Sequence, residues 1–446
     1  MNFAQSTVKF LKNVLPSPFS IAIILTAISF VLALLFTYPD DADLHYIFEL
    51  VSFWEKGFWE LLAFTTQMIL MLVLGHTLAL TKSVNKLINF VVKYCNTTPK
   101  AALIVTLLTV LVSLFNWGLG LIFGAILARK VGESAKKIGF QLNYPLIGAA
   151  GYSGLMVWHG GFSGSAPLKI TEQDHFLVES IGQVFLNETI LSNMNIAVSI
   201  ALILILPLSM FLLAKKSSNN KFELRTNFSL DRSDDSNIKG AEKLDHSKIF
   251  TLIFSSAFVL IALSKIISAE DLSFLNLNYI NFLLFGLGLL LHGNIARFIS
   301  AVNKAIVGSA GILIQFPLYA GIMGIMKYSG LSILLTDFFI SISTETTFPI
   351  YTLISAGIVN IFVPSGGDQW IVQGPIIIEA ARQLNVPVAK AVMALAYGDQ
   401  LTNMLQPFWA LPLLGITGLK AKEIIPYTLF LMIIGFIIYT TGLLAF

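Results

Sequence analysis

WHGGFSGSAPL at residues 158–168 and GDQLTNMLQPFWALP at residues 398–412 set glycine, serine, asparagine, aspartate and proline inside otherwise apolar runs. The rest of the chain says what those runs are: 56% of its 446 residues are hydrophobic and only 12% are charged, with a mean hydropathy of +0.79. Such a composition belongs to a polytopic, all-helical membrane protein. At membrane depth, irregular backbone is tolerated only where it is buried in protein or lines a cavity. Both motifs therefore read as broken transmembrane helices. NWGLG at 116–120 and NIFVPSGGDQW at 360–370 interrupt two further runs just upstream, so each half of the chain carries one interruption of each kind. Paired breaks at corresponding places in two halves point to the binding site of a secondary transporter.

Loop charge orients these segments. Lys82, Lys86, Lys93 and Lys100 precede the run at 101–128, and Arg129, Lys130, Lys136 and Lys137 follow it. Basic residues collect on the cytoplasmic side, so both ends of that run face inward and it reads as a re-entrant hairpin with Asn116 and Gly118 at its tip. The run at 348–384, flanked by Asp337, Glu345, Glu379 and Arg382, reads as a second hairpin entering from the opposite face. Crossings are expected near 19–37, 58–80, 143–168, 194–214, 249–267, 279–291, 309–326, 387–416 and 424–446. That makes about nine, with the N-terminus cytoplasmic. The first of these follows Lys9 and Lys12 but is long enough to span and lacks a small-residue cleavage site, so it reads as a retained helix rather than a signal peptide.

An internal repeat is visible by subtraction, since Asn116 and Asn360 lie 244 residues apart, Tyr152 and Tyr397 245, and Pro167 and Pro412 245. An odd number of crossings between equivalent segments gives inverted topology. The first repeat is 1–214, with its hairpin at about 101–128 and its broken helix at about 143–168; the second is 249–446, with hairpin at about 348–384 and broken helix at about 387–416. Between them 215–248 is polar and mixed in charge, a flexible cytoplasmic linker rather than a domain. A formal charge of +3, spread over short loops, gives no reason to expect a nucleic-acid partner, and the single Cys95 precludes an intrachain disulfide.

A broken helix presents unpaired N–H groups on one side and unpaired carbonyls on the other. Each helix end contributes only roughly 0.3–2 kcal/mol toward an ion, so several must converge. No Arg or Lys lies inside the four motifs, which suits a small monocarboxylate held by dipoles and neutral donors. The candidate binding residues are Asn116, Trp117, Gly118, His159, Gly161, Ser163, Gly164, Ser165, Ser365, Gly366, Gly367, Gln369, Trp370, Gln373, Asn403 and Gln406. Trp117, Trp158, Trp370, Phe408 and Trp409 supply an apolar wall for an acyl chain, or serve as ordinary packing and interfacial aromatics. Ionisable residues at bilayer depth cost roughly 2.5–3.5 kcal/mol and are functional candidates. Asp399, beside Gln400, Thr402 and Asn403, either handles a coupling ion, sodium or proton, or caps a half-helix. Asn116, Asn360, Thr402 and Asp368 are its candidate helpers, Asp368 equally being a solvated loop carboxylate. His159 shuttles a proton or is a neutral, hydrogen-bonded histidine. No cofactor beyond a coupling ion is expected. A channel would need a symmetric filter and an intramembrane hydrolase a nucleophile with its base; neither is evident, although Ser163 lies near His159.

FNWGLGL, WHGGFSGSAPL, NIFVPSGGDQWIVQGP and AYGDQLTNMLQPFWALPLL, with GFWELLAFTTQMILMLVLGHTLA and GILIQFPLYAGIMGIM, resemble the short-chain fatty acid transporter family from about Leu15 to the C-terminus. The resemblance implies multi-pass residence in a bacterial inner membrane and uptake of monocarboxylates such as butyrate or acetoacetate. It also implies kinship with a wider ion-transporter superfamily that pairs re-entrant hairpins with broken helices, moves as an elevator and is generally dimeric. The family more usually has glycine where this chain has His159 and Asp368. At the latter position Asp368 either adds a cation ligand or disfavours a second carboxylate nearby, and the alternative substrate within the same fold is another small organic anion, a dicarboxylate or an amino-acid conjugate.

Overall fold

A computed structural model describes residues 18–39, 45–60, 62–171, 175, 177–217, 224, 240–269, 274, 277–307, 309–362 and 366–446. Every regular element among them is helical, as expected where the backbone must satisfy its own hydrogen bonds. Among the described residues five helices are long and apolar enough to cross a bilayer: His45–Ala79, Thr98–Phe115, Asn193–Lys216, Lys248–Ser268 and Ala421–Ala445. The expected spans at 19–37, 279–291 and 309–326 correspond to Pro18–Phe36, Leu277–His292 and Ala310–Tyr328. Four helices of more than ten residues lie largely outside the expected segments: His45–Glu60, Lys82–Val92, Ile295–Val307 and Leu331–Ser341. Ile295–Val307 buries Phe298, Ala301 and Ala305 along one face, the spacing of an amphipathic helix too short for a span.

Glycine sets how closely helices approach. A Cβ on Gly57 would lie 2.5 Å from the Ala320 carbonyl oxygen and from Gly324 Cα, so His45–Glu60 and Ala310–Tyr328 cross backbone against backbone. In the first half a Cβ on Gly151 would lie 2.5 Å from the Gly124 oxygen, and in the second a Cβ on Gly398 would lie 2.1 Å from the Leu353 oxygen. Each broken helix is thereby pressed onto its own hairpin.

The first hairpin consists of Thr98–Phe115 and Trp117–Ile138, joined at Asn116 alone. Thr97 caps the first helix by accepting from Lys100 N–H. Asn116, in extended backbone, ends that helix and caps the next by accepting from Leu119 N–H at 2.8 Å. Left-handed Gly139 closes the hairpin. The second hairpin is Phe348–Phe362 followed by Gly366–Gln383. The broken helices are Tyr144–Tyr152, continued by a 3-10 turn at Ser153–Met156 and resumed at Ser165–Lys169, and Val388–Thr402, continued by a 3-10 turn at Asn403–Leu405 and resumed at Pro407–Thr417.

Candidate functional site

Each hairpin grips the break of its own half. In the first half Trp117 N–H donates to Ser163 Oγ at 3.0 Å and Phe162 N–H to the Leu114 carbonyl at 2.8 Å. Gly161 sits against that same carbonyl, 2.4 Å from where a Cβ would stand. The Asn116 amide donates to Met71 Sδ at 2.9 Å, and Gly118 packs on Met71. In the second half the Asn360 amide nitrogen lies 2.7 Å from the Asp399 carbonyl, 2.9 Å from Thr402 Oγ1 and 3.0 Å from Asn403 Oδ1. Gln406 donates back to the Asn360 carbonyl. Gln369 donates to the Ala356 carbonyl at 2.8 Å and to Gln373 Oε1 at 2.7 Å. Asn360 Oδ1, Gln369 Oε1 and Gln406 Oε1 are buried without a hydrogen-bond partner. An unpaired buried acceptor costs about 1–3 kcal/mol, a cost that a donor entering the site would relieve.

The two halves then brace each other. Tyr152 donates across to the Asn403 carbonyl at 2.9 Å, while Tyr397 donates to Asn195 Oδ1 at 2.9 Å, and the Asn195 amide holds the Gly160 carbonyl at 2.8 Å. A tyrosine of each half thus steadies the break of the other. His159 and Asp399 meet directly, Nδ1 to Oδ2 at 2.6 Å, with side chains 0% and 1% exposed. His159 N–H also donates to Gln400 Oε1 at 2.9 Å.

The protonation of this pair follows from its neighbours. Ala166 N–H donates to His159 Nε2 at 3.0 Å, so Nε2 is an acceptor and carries no hydrogen. A neutral imidazole then bears its proton on Nδ1, aimed at Asp399 Oδ2. With the carboxylate ionised the pair holds one negative charge, and burying an unpaired charge costs several kcal/mol. Among the described residues no three His, Cys, Asp or Glu side chains converge as a metal cluster.

An aromatic wall adjoins the pair. The Trp117 ring lies 5.1 Å from Trp409 and 6.1 Å from Trp158, and Trp158 stacks on the His159 ring at 4.5 Å. Gly366 closes the other side, since a Cβ there would lie 2.2 Å from His159 Cε1. Gly164 is equally confined, 2.1 Å from the His159 carbonyl by the same measure.

Of the residues expected at the site, the first hairpin tip, the first break and the second break with Asn360 come together. Ser165 opens the short helix after the first break, and Gly367 and Asp368 fall in the first turn of Gly366–Gln383. Ser365 lies outside the described residues. Trp370 is buried in a second apolar core with Ala166, Ile170 and Leu395, apart from the tryptophan trio in its contacts. Sequence reasoning missed Asn195, the Ala166 N–H and the bracing role of the two tyrosines. Asn195 was visible as an amide in the first turn of a long apolar helix, and the tyrosines as polar residues at corresponding places in the two halves.

An all-helical chain with several apolar helices, its two helix breaks clasped at the centre, has the construction of a membrane carrier. The family model for the short-chain fatty acid transporter matches residues 1–446, and the chain belongs to that family. It is 36% identical over 443 residues to an Escherichia coli (strain K12) protein named as a candidate short-chain fatty acid transporter, covering 98% of each chain. A Haemophilus influenzae (strain ATCC 51907 / DSM 11121 / KW20 / Rd) protein named in the same way is 33% identical over 445 residues, covering 97% of each. Among solved structures, Neisseria gonorrhoeae MtrF, described as illuminating a class of antimetabolite efflux pumps, is similar in fold at a TM-score of 0.51 and 14% identity, covering 99% of this chain and 97% of that one. The chain is a multi-pass membrane transporter and not an enzyme.

Proposed function

We propose that the protein carries small monocarboxylates such as butyrate or acetoacetate across a bacterial inner membrane by cation-coupled symport. It works as a homodimer whose hairpins and broken helices move together in an elevator. The observation that carries this reading is the meeting of the two breaks at His159 and Asp399 beside Trp117, Trp158 and Trp409. That arrangement offers a polar end for a carboxylate and an apolar end for two to four carbons. No Arg or Lys lies in the four motifs, so no permanent cation fixes the carboxylate and binding stays weak enough for release. The wall of tryptophans favours an apolar tail over the second carboxylate of a dicarboxylate, which would have to be desolvated against it.

Purified protein in liposomes, with uptake in protein-free liposomes subtracted, tests this. Labelled butyrate should accumulate, and unlabelled acetoacetate should compete better than succinate. Succinate uptake without butyrate uptake would replace the substrate assignment.

A further inference from the structure

The pair at the centre of the site has a property that neither residue has alone. In the structure His159 Nε2 and the Ala166 N–H satisfy each other at 3.0 Å, and Nδ1 is committed to Asp399 at 2.6 Å. A proton arriving at this histidine has one place to go, Nε2, because Nδ1 already carries hydrogen. Two hydrogens cannot share that contact. Protonation therefore turns an acceptor into a donor, breaks the bond to Ala166, and leaves two N–H groups side by side with no acceptor between them. A carboxylate is the ligand that two adjacent N–H donors fit.

We infer that His159 is a proton-gated carboxylate receptor: the site takes its substrate only together with one proton on Nε2, and Asp399 holds the resulting imidazolium. This deepens the proposed function and rests on it. The proton comes from solvent and returns to solvent with the carboxylate; no bond other than N–H is made or broken. Because proton and carboxylate enter together, loaded and empty sites carry the same net charge, so the symport is electroneutral.

Most other ionisable groups on the surrounding elements are exposed, paired elsewhere or distant. Lys169, Glu379 and Arg382 are exposed, and Lys390 is half-buried at the start of the second broken helix. Arg129 and Lys130 pair with Glu133, about 18 Å along the helix from Trp117 at 1.5 Å per residue. The Tyr397 hydroxyl is engaged by Asn195. Asp368 follows Gly366 by two residues in the same helix. Gly366 itself leaves room for the imidazole and for nothing larger beside it.

The test is calorimetric titration of butyrate into the full-length purified protein at pH 7, repeated in phosphate, HEPES and imidazole buffers. Their ionisation enthalpies differ, so the slope of observed heat against ionisation enthalpy counts protons taken up per carboxylate. The expected slope is close to one. His159→Gln can still accept from Ala166 and donate to Asp399 but cannot be protonated; it should bind at least tenfold more weakly with a slope of zero. Asp399→Asn, tested in parallel, should also lose the proton. Butyrate binding by the wild type with a slope of zero overturns the inference and leaves the proposed function standing. Absence of binding by acetate, butyrate and hexanoate alike overturns both.

Discussion

Beyond its 3-10 turn at Ser153–Met156 the first broken helix is interrupted for eight residues, 157–164, whereas beyond the 3-10 turn at Asn403–Leu405 the second is interrupted by Gln406 alone. The longer break is rich in glycine and held largely by backbone, Gly161 N–H to Trp158, Phe162 N–H to Leu114 and Gly164 N–H to Gly161, with the Asn195 and Gln400 side chains adding one contact each. The shorter one is held by side-chain amides, with Asn360 fanned over three oxygens and Gln406 closing back on Asn360. The first break is therefore a steric construction that fails when atoms are added. The second is a polar construction that fails when donors are removed. The bridge between His159 and Asp399 joins the two, and it is the place where crowding of one break is felt by the carboxylate of the other.

Substitutions of opposite kind should break this contrast if it is false. Gly366→Val drives a side chain into the His159 ring, 2.2 Å from Cε1 to the Cβ position, and should reduce transport more than a hundredfold in a protein that still inserts and purifies. Adding His159→Gly to Gly366→Val should restore the fold around the site, read as recovered thermal stability, without restoring proton-coupled uptake. Full recovery of uptake in the double variant would mean that His159 only fills space.

Asn360→Ala deletes the amide that serves Asp399, Thr402 and Asn403. Leaving buried acceptors unmet costs about 2–3 kcal/mol, so thermal unfolding should shift downward and transport should fall at least tenfold. The matching change in the first half, Ser163→Ala, removes one acceptor for Trp117 N–H. It should cost about 1 kcal/mol and lower uptake only a few-fold, because backbone contacts keep the break in place. Equal losses in these two variants, measured by thermal shift and uptake together, would contradict the division into steric and polar breaks.

The smallest effect concerns Cys95, in the loop between the helices Lys82–Val92 and Thr98–Phe115. The side chain is buried, and that burial pushes its thiol up to about 12. Maleimide at pH 7 should leave it unlabelled in the native protein and label it on denaturation, so Cys95→Ala should change uptake by less than twofold. Rapid native labelling would show that this loop opens.

The hairpins and breaks were legible because polar residues and glycine are conspicuous in a chain so apolar; NWGLG and GDQLTNMLQP announce interruptions wherever they lie. Asn116 as the hairpin tip needed no more than that. The amphipathic helices Lys82–Val92 and Ile295–Val307 were not legible in the same way, since runs of 11 and 13 residues are too short to stand out as spans. The pairing of His159 with Asp399 was beyond reach for a different reason. Its partners are 240 residues apart, and nothing local to either motif encodes which residue of the other half it will face. Two ionisable residues inside equivalent breaks were the available signal. It takes the crossing of the two broken helices to turn that coincidence into a hydrogen bond.

The central claim is that the two breaks form one carboxylate site joined through Asp399. Its most direct test is uptake of labelled butyrate into liposomes containing the wild type or Asp399→Asn, under an imposed proton gradient and, separately, a sodium gradient, with protein-free vesicles subtracted. Wild-type uptake should be driven by the proton gradient and lost in the variant. Uptake by Asp399→Asn at the wild-type rate, under the same gradient, would contradict it.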